Sequence, residues 1–296
     1  MTEQKLNSGC AVALGNFDGL HIGHKMVLES TLAFSKEHNL EAKVMLFDIH
    51  PKEFLTGKKI PHLMTDEDEE AALRDMGFDV CRVSFAEVKD YSCGEFFRKI
   101  IVDFFNAKAL CCGFNYSFGK NGAGSAETLS ALCRENGILC SVAQPVSVGG
   151  VTVSSSAIRE NIVSGSAQTA AEMLGRPYAI HGEVIHGDAR GRTLGFPTAN
   201  QKIDESLAVP KFGVYETRIK IDGREYKGVT NIGIRPTYRT ECTFAETYII
   251  DFCGDIYGRI IDVELIRYIR PEVLFNSTEE LKAQLMKDIA EVAENV

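Results

Sequence analysis

The sequence predicts an α/β protein of two domains, a doubly wound parallel sheet followed by an antiparallel β-barrel with a terminal helix. Up to Leu174, short apolar runs alternate with amphipathic segments at the spacing of parallel strands and their crossover helices. After Tyr178 helical patterns nearly vanish and short alternating runs take over, a pattern typical of an antiparallel barrel or sandwich. A chain of 296 residues is long enough for two hydrophobic cores. We expect the domains to be residues 1–176 and 177–296.

Five apolar runs are expected to form the parallel sheet. They cover residues 10–14, 42–47, 80–85, 109–113 and 139–143. Helices are predicted between them near residues 24–38, 66–76, 92–105 and 125–136. Ser92 and Glu95 have the spacing of a capping box, and Thr65 is the expected N-cap of a helix that begins with five acidic residues. We interpret those acids as favourable charges at a helix N-terminus and not as a metal site.

The second part of the chain is predicted to contain five main strands and one helix. The strands cover residues 178–186, 213–221, 224–232, 246–252 and 261–269, and Asp222-Gly223 is a hairpin turn between two of them. Ser277 and Glu280 form a second capping box at the start of the last helix. Leu281, Leu285, Ile289 and Val292 share one helix face, which we expect to pack against the barrel.

Composition restricts the classes of function. A net charge of −9 disfavours a general nucleic-acid or membrane-surface binder, because both partners are anionic. The nine cysteines form no C-x-x-C pattern and no zinc-ligand spacing, and no apolar run reaches membrane-spanning length. We therefore expect a cytoplasmic protein with small-molecule partners, and leave self-association open.

The turn after the first strand carries the clearest sign of chemistry. Gly15 and Gly19 suit a sharp turn from a strand to a helix that starts near His21. His21 and His24 are three residues apart and share one helix face, while Gly23 between them leaves room for a ligand. A helix N-terminus attracts phosphate, and imidazoles can carry charge near neutral pH. The turn indicates a phosphate site, although a helix cap with two solvated histidines fits equally well.

Two further segments are expected at the same edge of the sheet, where strand order reverses and ligands bind. One is the glycine-rich loop of residues 113–124, which follows the fourth strand. The other is the start of a helix at residues 153–159, where serine hydroxyls and Arg159 could contact phosphate. Alone, the serine run is more typical of an N-cap. It supports a phosphate site only if it lies close to the two histidines in the folded chain.

The barrel has a candidate site of its own. A glycine-spaced polar loop over residues 186–200 enters a strand at Pro197, with Thr198 and Asn200 on one side of it. A hydroxyl and an amide oxygen suit Mg²⁺ when phosphates complete its coordination shell. Glu246 stands in an otherwise apolar strand and is a candidate for a carboxylate held partly out of water. A mobile barrel loop and a solvent-facing glutamate are the alternatives.

Together these segments resemble the prokaryotic bifunctional riboflavin kinase/FAD synthetase family over essentially the whole chain. The shared motifs are G-x-F-D-G-x-H-x-G-H at 15–24, G-x-N-[FY]-x-F-G at 113–119, S-S-[ST]-x-I-R at 154–159, L-G-R-P-Y at 174–178, G-R-x-L-G-F-P-T-A-N at 191–200, and the segments 228–237 and 246–252. H-x-G-H alone marks a broad nucleotidyltransferase superfamily, whereas P-T-A-N in the same chain is much more specific. The loop after Phe47 has one proline fewer than many members, and Leu274 replaces a frequent Lys.

The resemblance implies that an N-terminal nucleotidyltransferase domain joins FMN to AMP and that a C-terminal flavokinase barrel phosphorylates riboflavin, with ATP as co-substrate. It implies ATP or phosphate contacts in the first domain from the histidine pair, His21 and His24, and from Gly15, Phe17, Asp18, Gly23, Asn115, Ser155, Ser156 and Arg159. In the second domain it implies Glu246 as catalytic base, Mg²⁺ at Thr198 and Asn200, and ATP or flavin contacts from Gly191, Arg192, Gly195, Pro197 and Asn231.

The chemistry of the two reactions fits this division of residues. A phosphate monoester is already ionised near neutral pH, so FMN can attack ATP without a base and needs only stabilisation of charge. An alcohol is hardly ionised, so riboflavin needs a carboxylate to take its proton. Three alternatives remain: a nucleotidyltransferase for another phosphorylated substrate, a flavin-binding or regulatory protein with decayed sites, and a chain that retains one activity.

Overall fold

The structure is a computed structural model that describes residues 9–187, 195–236 and 241–294. The chain divides into two compact units, Met1–Ser155 and Ser156–Val296. This division falls inside a helix, whereas the boundary predicted at residues 176/177 follows the change of sequence pattern; that domain boundary stays a prediction.

The N-terminal unit is built on parallel strands joined by helices. Its strands are β1 (Cys10–Leu14), β2 (Glu41–Phe47), β3 (Asp79–Val83), β4 (Ala107–Gly113), β5 (Ser117–Phe118), β6 (Gly124–Ser125), β7 (Leu139–Ala143), β8 (Ser147–Val148) and β9 (Val151–Thr152). Its helices are α1 (Ile22–His38), α2 (Pro51–Thr56), α3 (Asp66–Asp75), α4 (Phe85–Val88), α5 (Cys93–Phe96) and α6 (Ala126–Glu135). The two short hairpins, β5–β6 and β8–β9, are additions to the predicted elements.

The five main strands form one parallel sheet in the order β3-β2-β1-β4-β7. Chain order reverses at β1, which pairs with β2 on one side and β4 on the other. β1 is buried along its whole length, and its residues alternate between two apolar clusters: Val12 lies in one and Ala13 in the other. Both faces of the sheet are therefore covered, which confirms the predicted doubly wound arrangement.

One predicted helix differs in form. We expected a single helix ending near residue 105, but α5 lasts only four residues and continues as a π-helix over Phe97–Phe104. The capping box at its start is present as predicted, with Ser92 and Glu95 accepting each other's backbone N–H. The wider turn still directs Phe97 and Ile101 into the core, so burial of these side chains, and not helical periodicity, fixes the segment.

Among the residues that the structure describes, the C-terminal unit contains an antiparallel sheet of six strands and three helices. They are α7 (Ser155–Ser164), α8 (Ala167–Leu174), β10 (Tyr178–Glu183), β11 (Thr198–Lys202), β12 (Gly213–Ile221), β13 (Arg224–Pro236), β14 (Glu241–Ile249), β15 (Ile260–Arg270) and α9 (Thr278–Glu294). The predicted strands appear, although β14 begins five residues earlier than predicted because its ladder with β13 extends to the pair Pro236↔Glu241. Asp222 and Gly223 both have positive φ, as a tight hairpin turn requires.

The sheet closes on itself through its two edge strands. Its order is β10-β15-β12-β13-β14-β11. Near the open edge, Ile185 N donates to Asn200 O at 2.8 Å. The buried amide of Gln201 on β11 donates to Gly182 O and Ile261 O, each at 2.9 Å. The bond from Gln201 to Gly182 joins the two edge strands, β11 and β10, so the predicted barrel is confirmed.

Helix α9 packs on the outside of the barrel through its last turns. Val292 is fully buried beside Val214 and Val229, and Ile289 packs against the same cluster, whereas Leu281 and Leu285 are only half-buried. The predicted apolar face is thus in place, mainly in the C-terminal half of the helix. An ion pair secures it: Arg270 Nη2 lies 2.6 Å from Oδ2 of Asp288, whose side chain is almost fully buried.

Candidate active sites

The histidine pair of the N-terminal unit lies beyond the end of β1, the strand at which strand order reverses. His21 is the N-cap of α1, and its Nδ1 accepts a hydrogen bond from His24 N at 3.1 Å. The two rings stack with centroids 3.5 Å apart and planes 19° from parallel. The expected shared face is confirmed, because capping and stacking hold both imidazoles at the helix N-terminus beyond the end of β1.

Burial keeps both histidines neutral. It lowers the pKa of His21 to about 4, and burial followed by the charge of His21 lowers the pKa of His24 well below its usual value. Against the expectation that these rings carry charge near neutral pH, burial and stacking therefore favour the neutral form of both. They still provide ring N–H groups as donors.

One atom of the pair lacks the contact that its burial demands. His24 Nδ1 is buried and has no hydrogen-bond partner among the described residues. A buried polar atom without a partner costs free energy, so it marks a place where a ligand group would complete the site. This observation favours a binding site over the alternative of a helix cap with two solvated histidines.

The glycines around the pair make room for rings. A Cβ on Gly23 would come within 3.2 Å of His21 Cε1, and a Cβ on Gly15 within 3.3 Å of the Phe17 ring. Phe17 is buried and meets the His24 ring edge-on, with centroids 5.3 Å apart. We expected Gly23 to leave space for a ligand, but in this structure the His21 ring lies against it.

Asp18 connects the turn after β1 to two other segments of the N-terminal unit. Its buried carboxylate accepts a hydrogen bond from Leu63 N at 2.7 Å, and its carbonyl oxygen accepts one from Ser155 Oγ at 3.0 Å. Burial, followed by the charge of Asp18, raises the pKa of Glu69 to about 8. Glu69 therefore adds little negative charge beside a loop that would receive phosphate.

Other residues of the predicted adenylyltransferase site occupy separate segments. Asn115 is exposed after β4, and its Oδ1 would lie 3.2 Å from a Cβ on Gly113. β1 and β4 are neighbours, so the loops that follow them share the switch-point edge, as predicted. Ser156 Oγ accepts a hydrogen bond from Arg159 Nη2 at 3.2 Å in α7. These two residues belong to the second unit, and their meeting with the histidine pair stays a prediction.

Sequence reasoning did not single out Asn16 and His50. Asn16 Nδ2 and His50 Nε2 lie 3.3 Å apart, joining the loop after β1 to the loop after β2. His50 Nδ1 accepts a hydrogen bond from Lys52 N at 3.1 Å, so the His50 side chain also caps α2. The sequence signal that could have indicated His50 is the pair His50-Pro51, because proline is favoured at the first position of a helix and the residue before it is then the N-cap.

Three polar side chains of the barrel stand in one row across neighbouring strands. Asn200 on β11 pairs with Glu246 on β14, and Glu246 pairs with Asn231 on β13. Directly paired residues lie on the same face of a sheet with Cβ atoms about 5 Å apart. Glu246 and Asn231 are half-buried, and Asn200 is almost fully buried. The strand pairing brings together the predicted base and two predicted ligand contacts.

Asn200 is closely packed on both sides. Its Nδ2 donates to Thr198 O at 3.1 Å, which leaves the amide oxygen as the end that faces other groups. A Cβ on Gly187 would come within 2.6 Å of Nδ2, so only glycine allows the preceding loop this close. Gly195 and Pro197 are exposed before β11, whereas Gly191 and Arg192 lie outside the described residues.

The donor set at Thr198 and Asn200 fits a hard cation. A hydroxyl and an amide oxygen two residues apart on one strand are the kind of ligands that Mg²⁺ takes together with phosphate oxygens. Within the part of the chain that the structure describes, no group of three or more His, Cys, Asp or Glu side chains is arranged to hold a metal ion. None of the nine cysteines, all of which lie in the described part of the chain, forms a disulfide. The Mg²⁺ site remains a prediction based on its oxygen donors.

Two protein-family models match separate parts of the chain. A family model described as FAD synthetase matches residues 3–157, and one described as riboflavin kinase matches residues 174–296. Curated relatives named bifunctional riboflavin kinase/FMN adenylyltransferase include those of Haemophilus influenzae and Bacillus subtilis. The first is 35% identical over 95% of this chain and 92% of the relative, and the second 37% identical over 94% and 89%.

A solved structure has the same fold. It is named a macrolide-efflux protein from Streptococcus pneumoniae, is 30% identical, and matches with a TM-score of 0.86 over 98% of this chain and 95% of its own. Its name refers to transport, which neither family model shares. Among the described residues, no helix has the length and apolar character needed to cross a membrane. From its two family domains and its full-length relatives, the chain belongs to the family of bifunctional riboflavin kinase/FMN adenylyltransferases.

Proposed function

We propose that this chain makes FAD from riboflavin in two ATP-dependent steps at two separate sites. The barrel phosphorylates riboflavin to FMN, and the N-terminal unit adenylylates FMN and releases pyrophosphate. The row of Asn200, Glu246 and Asn231 is the observation that carries the proposal. It places a carboxylate between two amides in one unit, while the other unit offers neutral donors at a helix N-terminus.

In the kinase step, Glu246 acts as the base. The terminal hydroxyl of riboflavin must lose its proton as its oxygen bonds to the γ-phosphorus of ATP, and a carboxylate within hydrogen-bond distance can accept that proton. Glu246 is half-buried on the sheet face, flanked by amides that can orient a polyol without competing for its proton. A binding protein would not need a carboxylate at this position.

Thr198 and Asn200 would hold Mg²⁺ in the kinase, together with ATP. Bound there, the cation would neutralise charge on the transferred phosphate group. The buried Asn200 amide is fixed by Thr198 O and by the close approach of Gly187, so its oxygen is preorganised for this role. Gly191, Arg192, Gly195 and Pro197 are assigned to ATP or flavin binding from the family resemblance alone.

In the adenylyl transfer step, His21 and His24 stabilise charge and take no proton from the nucleophile. The FMN phosphate is already ionised when its oxygen attacks the α-phosphorus of ATP, and pyrophosphate leaves. Neutral imidazole N–H groups and the free amides at the start of α1 can donate to the charged oxygens. Gly15, Phe17, Asp18 and Gly23 shape the loop around the pair, and Asn115, Ser155, Ser156 and Arg159 are the further proposed phosphate contacts.

We further propose a cytoplasmic location, where both ATP and riboflavin are available. The net charge of −9 argues against nucleic acid and membrane surfaces as partners.

A time course with purified protein tests the proposal. The protein is mixed with riboflavin, ATP and Mg²⁺, and the flavins are separated by chromatography. FMN should appear first, and FAD should follow as FMN declines. FAD without any intermediate FMN, or no conversion of riboflavin at all, would contradict the two-step scheme.

A further inference from the structure

Glu272, on the segment between β15 and α9, reaches back to the strand face that carries Glu246. Its Oε1 accepts a hydrogen bond from Asn231 Nδ2 at 3.0 Å, between residues 41 positions apart in the chain. Asn231 is the direct cross-strand partner of Glu246. The contact therefore connects Glu272 to the immediate neighbour of the proposed base.

The position of Glu272 is fixed from two sides. Gly233 lies two residues after Asn231 on β13, hence on the same face, and a Cβ there would overlap the Glu272 carboxylate. On the other side, Arg270 donates from Nη1 to Pro271 O at 3.0 Å and from Nε and Nη2 to the buried Asp288. The backbone that leads to Glu272 is thus anchored. The Glu272 carboxylate lies against Gly233 of β13.

The chemistry of this contact decides which way the Asn231 amide faces. An ionised carboxylate only accepts hydrogen bonds, so it must face the NH₂ end of the amide. The Asn231 oxygen is then turned away from Glu272 and can accept a hydrogen bond from a hydroxyl. A hydrogen bond to a charged acceptor is roughly twice as strong as one between neutral groups, so the contact favours this orientation even though the Glu272 side chain is exposed.

We propose that Glu272 is a positioning residue of the riboflavin kinase site. It orients Asn231 so that the amide oxygen accepts a hydrogen bond from a hydroxyl of the ribityl chain, while Glu246 takes the proton of the terminal hydroxyl. The proposal rests on the function proposed above for Glu246. Glu272 itself takes no part in proton transfer and acts through Asn231.

The variant Glu272→Gln tests this proposal with little change in shape. Glutamine can donate as well as accept, so it no longer dictates the orientation of Asn231. We expect kcat/KM for riboflavin to fall about tenfold, with KM for ATP changed less than about twofold. In an Asn231→Ala background, Glu272→Gln should cause no further loss, because its target is absent. Gly233→Ala, which displaces the carboxylate but keeps its charge, should reproduce the loss.

Two controls separate this role from a general effect on folding. The matched variant Glu279→Gln removes an exposed carboxylate from the first turn of α9 and should leave riboflavin phosphorylation unchanged. FAD formation from supplied FMN should be unaltered in every variant. A full tenfold loss from Glu272→Gln in the Asn231→Ala background, or unchanged riboflavin kinetics in both Glu272→Gln and Gly233→Ala, would overturn the proposal. Failure of the base assignment shows separately, as phosphorylation that survives Glu246→Gln.

Discussion

The histidine turn and the barrel face are both proposed to bind ATP, but they differ in construction. In the N-terminal unit, Gly15 to His24 are ten consecutive residues between β1 and the first turn of α1. In the barrel, Asn200, Asn231 and Glu246 come from three strands and meet only through the pairing of β11, β14 and β13. The histidine turn is thus a local structure, whereas the barrel face depends on the register of a sheet.

The two sites also differ in the chemistry they offer. The histidine pair consists of neutral donors, because burial lowers both pKa values, and it suits a nucleophile that is already ionised. The barrel face offers a half-buried carboxylate between amides and suits an alcohol that must lose its proton. The state of the nucleophile is therefore the reason that we assign a base to only one of the two sites.

The largest effect is expected from Glu246→Gln. Without a base for the riboflavin hydroxyl, FMN formation should fall by about 10³-fold or more, while FAD formation from supplied FMN survives. Initial rates of both reactions, measured on the same preparation, check this. Glu225→Gln, an exposed carboxylate on β13, is the matched control. Equal loss of both activities would remove Glu246 from its proposed role.

A smaller loss, in the other activity, is expected from His24→Ala. Removing one preorganised donor should slow FAD synthesis about 10²-fold and leave riboflavin phosphorylation near its starting rate. His38→Ala, which removes an exposed histidine from the same helix, should change neither rate. A parallel fall of the kinase would show that the two sites are not separate.

The smallest effect concerns stability in acid. The pKa of His21 is about 4 in the folded protein, against 6.5 for an ordinary histidine, so the unfolded chain binds more protons between these pH values. The free energy of unfolding should therefore fall as the pH drops from 6.5 to 4, with a contribution from His21 on the order of 3 kcal/mol. His21→Asn keeps a capping side chain but cannot titrate, so it should make this fall less steep.

Urea unfolding followed by circular dichroism at pH 7 and pH 5 measures the difference. His38→Asn is the control, because that side chain is exposed on the same helix. An unchanged pH dependence in His21→Asn would mean that burial does not hold the ring neutral, and the contrast drawn between the two sites would lose its electrostatic basis.

The same contrast explains how much the sequence could predict. Strand and helix patterns predicted both sheets and α9, since burial repeats with the period of each element. The turn at His21 was predictable because all of its parts are neighbours in the chain. The contact of Asn231 with Glu272 was not, because residues 41 positions apart meet only after the barrel has closed. The neutral state of His21 and His24 was also missed, because it depends on burial that the sequence does not specify.

Mixing two defective variants tests most directly the claim of two separate sites joined by FMN. Glu246→Gln and His24→Ala proteins are each incubated with riboflavin, ATP and Mg²⁺, alone and together, and FAD is measured by chromatography. Each variant alone should form little or no FAD from riboflavin, whereas the mixture should form it after a lag, as FMN released by His24→Ala reaches the intact adenylyltransferase site of Glu246→Gln. A mixture that accumulates FMN but no FAD, or that forms neither, would contradict the account.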